Sequence, residues 1–272
     1  MQIQPRTRNI ALTPVLVTVL FLSAFAGAVD IAETKGLNLI SLDQEWGMRN
    51  DLHAQVSREA RLVNDRSALA YLNQVGRRIA AQTPMGNRQW DFFIVQDNSL
   101  NAFNLPGGLV YVNSGLIAEA ESLDQLAGVL AHEIGHGAAR HGTQLMTRSY
   151  GYGLLANLVL GKNPGQGKQI LAQLVGTGII TNYSRDAERD ADRLGVNYTY
   201  RAGYDPQGML EFYRKMGSLR QRQPSKVEQF FASHPHTSER VNIINSEMSR
   251  LPRNASLTRD TRSYQQFRSR FR

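Results

Sequence analysis

The residues of this chain best placed to do chemistry are two histidines four apart, with a glutamate beside the first: His132-Glu133-Ile134-Gly135-His136. On a helix that spacing puts both imidazoles on one face, one turn apart. There they can share one Zn²⁺, and Glu133 can reach a metal-bound water. The pattern is short, and two core histidines bonded to carbonyls beside a solvated glutamate would read the same way.

The surrounding residues predict the helix that the chemistry needs. Ser122 reads as an N-cap, with Gln125 completing a capping box. Leu123, Leu126, Ala127, Leu130, Ala131, Ile134 and Ala138 recur at spacings of three and four. Gly142, after His141, reads as the helix stop. A zinc site with two histidines also needs a third protein ligand and an open position. A second helix, capped by Ser184, offers one: Glu188 and Asp192 lie one turn apart, with Ala187, Ala191 and Leu194 as a narrow apolar stripe. Glu188 would complete the ligand set, and Asp192 would accept a hydrogen bond from a ligating imidazole. A solvated helix laced with acid–base pairs has the same pattern, because Arg185, Arg189 and Arg193 form a row of their own.

The rest of the chain supplies the frame. Residues 36–82 read as helical, and His53 there has no ligand partner near it in sequence. Trp90–Val95 and Leu109–Val112 are strand candidates rich in aromatic and β-branched residues. Between them, Asn101, Ala102 and Phe103 read either as a sheet edge that could add a substrate peptide as an extra strand or as part of a plain hairpin loop before the turn at Pro106-Gly107-Gly108. Tyr150–Leu160 and Gln169–Ile180 are apolar but too short to span a bilayer. The Gly-rich piece between them lacks the Gly-Lys-Ser/Thr ending of a phosphate loop. Gly203 and Tyr204 close the second helix, and Asp205 with Pro206 opens another that carries Met209, Leu210, Phe212, Tyr213 and Met216. Residues 251–272 are rich in arginine, with little apolar periodicity, and read as a mobile basic tail.

The chain of 272 residues, 42% hydrophobic, can bury an ample core. It has no cysteine, so disulfides, thiolate catalysis and Cys-ligated zinc are excluded. Arg6 and Arg8 precede a nearly uncharged run that ends in Ala24-Phe25-Ala26-Gly27-Ala28, which predicts a signal peptide over residues 1–28 and an exported domain. The rival is an uncleaved anchor, although Pro14, Ser23 and Gly27 make a poor span. Without Arg6 and Arg8 the net charge of +8 falls to +6. No nucleic-acid motif accompanies that charge, so acidic clients, peripheral contact with anionic membranes, or solubility alone account for it.

Together the motifs resemble those of the membrane-linked HExxH/ExxAD zinc metallopeptidases, a family that includes BepA-like, LoiP-like, HtpX-like, Oma-type and CAAX prenyl protease members. The resemblance rests on His132–His136 continued to His141, on Glu188-Arg189-Asp190-Ala191-Asp192, on Ser233-His234-Pro235 through Arg240, and on Asn101-Ala102-Phe103 with Pro106-Gly107-Gly108. It covers residues 40–250 and implies a gluzincin-type α+β fold, mainly helical, with a small sheet whose edge faces the active-site cleft. The catalytic domain would run over residues 36–250. One Zn²⁺ per chain would be held by His132, His136 and Glu188, with Glu133 as general base and Asp192 behind a ligand. His234 and Arg240 would lie over the metal and stabilise an oxyanion, or His234 would ligate the zinc in a self-inhibited state. His236 lies two residues past the matching position, and His141 matches a histidine whose role would be structural. Asn101, Ala102 and Phe103 would bind substrate. The implied activity is endoproteolysis of unfolded, misfolded or membrane-associated envelope proteins, in the periplasm if the source is bacterial. A non-cleaving chaperone using a metal-stabilised groove is the alternative. The tetratricopeptide region of BepA-like members and the long spans of HtpX-like ones are not matched.

Overall fold

The computed structural model describes residues 36–149, 183–235, 238–253 and 256–272. The expected signal peptide, the two apolar stretches with their Gly-rich connection, and His236 lie outside the described residues.

Three helices, Leu42–Gly47, Arg49–Glu59 and Arg66–Ala80, lead into a three-stranded sheet. Ser41 and Gln44 form a reciprocal capping box on the first helix, and the Asp65 carboxylate accepts from two backbone amides of the third. The sheet has the order β1-β3-β2, from β1 (Asp91–Val95), β2 (Ala102–Leu105) and β3 (Leu109–Asn113). β1 runs parallel to the central β3, and β2 pairs with it antiparallel through Phe103↔Tyr111 and its neighbours. The stretch at Asn101 is therefore a sheet edge and not a plain loop. Alternation along β2 points Ala102 and Asn104 toward the motif helix and Phe103 to the other face. There Phe103, Tyr111, Phe93 and His53 form a stack, with His53 Nδ1 2.9 Å from the Tyr111 hydroxyl. His53 is thus a satisfied packing histidine.

The motif helix spans Leu123–Ala138, and every one of its residues is buried. It ends earlier than Gly142 suggests. Arg140 takes a left-handed backbone (φ 58°), and a new helical run continues over residues 141–149. The capping box also differs. Ser122 makes no side-chain cap bond, and the Gln125 side chain accepts from Glu121 N. The first amides are instead held from far along the chain: Leu123 N donates to Asp260 Oδ1 (3.1 Å) and Asp124 N to the Arg259 carbonyl (2.9 Å).

The glutamate helix, Arg185–Arg201, crosses the motif helix closely because small residues meet at the contact. A Cβ on Gly195 would stand 3.2 Å from His132 N, and one on Gly135 3.0 Å from the Ala191 carbonyl. Its Ser184 cap accepts from Ala187 N, as the sequence predicts. Gly203 (φ 80°) closes this helix, and the next runs Gln207–Arg222. Pro224–Ser233 and Ser238–Ser249 follow.

The predicted mobile tail is a correction. Residues Arg262–Arg268 form a helix whose Tyr264 and Phe267 are buried in the main core. Phe267 stacks on Tyr71 (4.8 Å), and the Tyr264 hydroxyl donates to the Ala120 carbonyl (2.7 Å). Two aromatic anchors outweigh the arginines around them, since each can bury roughly 150–250 Å². The arginines still find partners: Arg268 donates to the Ala118 carbonyl and Arg270 pairs with Asp65.

Candidate metal centre

Four side chains converge where the motif helix, the glutamate helix and the end of helix Pro224–Ser233 meet. His132 Nε2 and His136 Nε2 are 3.1 Å apart. Glu188 Oε1 is 3.2 Å from His136 Nε2, and its Oε2 is 3.6 Å from His132 Nε2. His234 Nδ1 lies 3.3 Å from His132 Nε2 and 3.2 Å from Glu188 Oε1. All four residues are buried, and their donor atoms lie within 4.8 Å of one another. Nitrogen and oxygen donors bound tetrahedrally at roughly 2.0–2.2 Å sit about 3.3–3.5 Å from each other. The set therefore fits a single four-coordinate ion in both donor chemistry and spacing.

The second ring nitrogens say which lone pairs face inward. His132 Nδ1 is 3.0 Å from Asp192 Oδ1, so it donates there and leaves Nε2 free. Burial opposes charge on His132, but Asp192 and Glu188 overcome it and push the imidazole up to about 9. Burial holds the His136 imidazole well below its ordinary value. Burial works to raise the Glu188 carboxyl, yet its interactions with the neighbouring imidazoles, His234 and His136 foremost, hold it well below the usual carboxylate range.

Glu133 sits beside this cluster. Its Oε1 is 3.3 Å from His234 Nε2, and its buried Oε2 has no hydrogen-bond partner among the described residues. Burial pushes its carboxyl up. A small apolar pocket borders Glu133 and His132, lined by Val129, Met209, Phe212 and Phe230 among others.

Arg240 borders the same cluster, with its Nη2 3.5 Å from His132 Nε2. It donates to both Asp192 oxygens (2.6 and 2.7 Å), pairs with Glu188 Oε2 (2.6 Å) and lies over the Tyr213 ring. It thus grips the two acids of the glutamate helix from behind. Asn101, Ala102 and Phe103 do not join the cluster. Asn101 and Ala102 are buried, Asn101 Oδ1 is 3.4 Å from Ser233 Oγ, and Phe103 faces the aromatic stack.

Three neighbours went unseen in the sequence. Tyr183 stacks on the His136 ring (3.9 Å, 15°) and donates its hydroxyl to Asn104 Oδ1 (3.0 Å). Tyr213 carries the Arg240 guanidinium. A row of small residues at Ala187, Ala191 and Gly195 could have signalled the close helix crossing, but no local pattern marks Tyr183 or Asn104.

A helix pair that brings together two histidines at HExxH spacing, a glutamate and a flanking acid has the donor set of an HExxH metallopeptidase centre. The profile of peptidase family M48 matches residues 66–248, and the chain belongs to that family. Among its relatives is the mitochondrial metalloendopeptidase OMA1 of Schizosaccharomyces pombe, 29% identical over 219 residues, covering 79% of this chain and 64% of that protein. The β-barrel assembly-enhancing protease of Yersinia pestis is 31% identical over 224 residues (78% of this chain, 45% of the relative). That of Escherichia coli K12 is 30% identical over 231 residues (80% and 47%). The chain thus spans between 45% and 64% of the length of these relatives.

Proposed function

We propose that the chain is a zinc-dependent endopeptidase of an exported quality-control system, acting on misfolded or envelope proteins. The observation that carries this reading is the convergence of His132, His136 and Glu188 beside a buried Glu133 with an unpartnered oxygen. Bound zinc would polarise the scissile carbonyl and acidify a water. Glu133 would take the proton from the attacking water and hand it to the leaving amine. Its raised pKa suits that return step, since a carboxyl that holds a proton more readily is a better acid toward the amine. Asp192 would orient His132. Arg240, engaged with both acids, would hold Glu188 in place instead of meeting the oxyanion. The β2 edge would receive an extended peptide as an added strand. The names of the relatives, a mitochondrial metalloendopeptidase and proteases that enhance β-barrel assembly, support a protein substrate.

His234 occupies the fourth corner of the donor set and stands between it and Glu133, which supports the reading of a resting arrangement. A substrate carbonyl and its water need that corner, and His234 must swing out for turnover. The test is zinc content and casein cleavage of wild type beside Glu133→Gln. The variant keeps its zinc and loses about 10²–10⁴ in rate. Full cleavage by Glu133→Gln would remove Glu133 from the chemistry. A variant inert toward peptide bonds that still supports envelope assembly would favour a holding role.

A further inference from the structure

His132 is oriented by Asp192, but Asp192 does not serve His136. The second nitrogen of that ring, Nδ1, lies 3.0 Å from His141 Nδ1. Two ring nitrogens at that distance share one proton. If His141 donated it, His136 would carry its own hydrogen on Nε2 and aim an N–H into the donor cluster. If His136 donates, its Nε2 lone pair faces inward, as a ligand requires, and His141 is the acceptor.

His141 reaches that point only because the chain turns sharply after the motif helix. A continued helix would place residues 136 and 141 about 500° apart in rotation, not ring against ring. The left-handed backbone of Arg140 (φ 58°) makes the turn. A side chain with a Cβ is strained in that region, so something must hold it. Arg140 Nε donates to Glu45 Oε2 (2.8 Å), its Nη2 donates to the Ile40 carbonyl, and Thr143 Oγ1 donates to the same Glu45 oxygen (3.1 Å). Both charged groups are buried. A buried, bonded ion pair adds little net stability but fixes geometry strongly.

We propose that His141 is a positioning residue for His136, brought into place by the left-handed turn at Arg140 and its buried pair with Glu45. The inference rests on the reading of the cluster as a metal site. It gives the N-terminal helix Leu42–Gly47 a role in shaping the centre from 95 residues away.

Zinc affinity of the full chain, measured by competition with a chromogenic chelator, tests it, with the visible absorption of the cobalt-loaded protein as a second readout. His141→Gln retains an acceptor for His136 and is expected to bind within a few-fold of wild type. His141→Leu fills similar space without an acceptor and is expected to bind 10–100-fold more weakly, with an altered cobalt spectrum. A Leu variant with wild-type affinity and spectrum overturns the proposal, as does equal weakening in both variants. Where those replacements do not fold, Arg140→Gly and Arg140→Ala carry the test. Both delete the Glu45 pair, but only glycine keeps the left-handed turn without strain, so the glycine variant binds zinc more tightly. Equal affinities would overturn it. A wild-type chain that binds no metal fails the metal-site reading itself, an outcome these comparisons distinguish.

Discussion

At the scale of single residues, the donor set without an ion would hold one proton, on His132. The His132 imidazole stands at about 9, above its ordinary value, while the His136 and Glu188 values are depressed. A raised histidine value means that protonation stabilises the metal-free fold below about 6.5, the unfolded value, and that this contribution is lost as pH rises through about 9. A ligand must bind the ion deprotonated. Zinc binding at pH 7 should therefore release one proton, read by calorimetry in two buffers of different ionisation enthalpy. Apparent affinity should rise about tenfold per pH unit between pH 6 and 8. Binding without proton release would contradict the His132–Asp192 arrangement. His234 allows a second forecast. On the proposal that His234 holds the fourth corner, His234→Ala should raise basal casein cleavage above wild type, and a fall in rate would show that the imidazole is needed for the chemistry. His132 with His136, and Glu188 with Asp192, were legible as pairs because helical spacing sets each on one face, and Glu133 was legible from its place beside His132. That Arg240 meets both acids of the second helix was not legible, because position in a motif says nothing about which acids a guanidinium meets once folded.

At the scale of elements, the ligand set is made by two helices that touch at glycine and alanine. Glu188 reaches His136 only while Gly195 lies against His132 N. Gly195→Val adds methyl groups to a space already tight for a single Cβ. It should cost about 1–3 kcal/mol in stability and weaken zinc binding, seen together in thermal unfolding and chelator competition. Unchanged metal affinity with lowered stability would mean that the helices can spread without moving Glu188. The sheet was partly legible: both long strands fell where β-branched and aromatic residues cluster, but the order β1-β3-β2 depends on a parallel pairing that leaves no mark in either strand alone. The end of the motif helix was misread for a similar reason. Gly142 is the residue that local rules favour as a stop, whereas the turn is made at Arg140 by a partner 95 residues earlier in sequence.

At the scale of the whole molecule, the last described segment is part of the core. Its aromatic residues, Tyr264, Phe267 and Phe271, cover barely two turns among arginines, too short a run for periodicity to register. Their worth lies in what they meet: Phe267 stacks on Tyr71, and Tyr264 donates to the Ala120 carbonyl. Tyr264→Ala removes a fully buried ring and a hydrogen bond and should cost about 3–5 kcal/mol, lowering the unfolding midpoint in denaturant. A shift below about 1 kcal/mol would return the segment to the status of a loose tail. Among the described residues no helix is long and apolar enough to cross a membrane.

The hydrogen bonds from Leu123 and Asp124 to Asp260 and Arg259 also impose an order in time. A ribosome makes this chain from its N-terminus, so His132 and Glu133 exist well before the residues that close the first turn of their helix. Until synthesis has passed residue 264 and that stretch has folded back, the helix start is unclosed and the docking surface at Ala120 is bare. The helix that carries His132 and Glu133 is thus completed at its first turn only by residues made more than a hundred positions later.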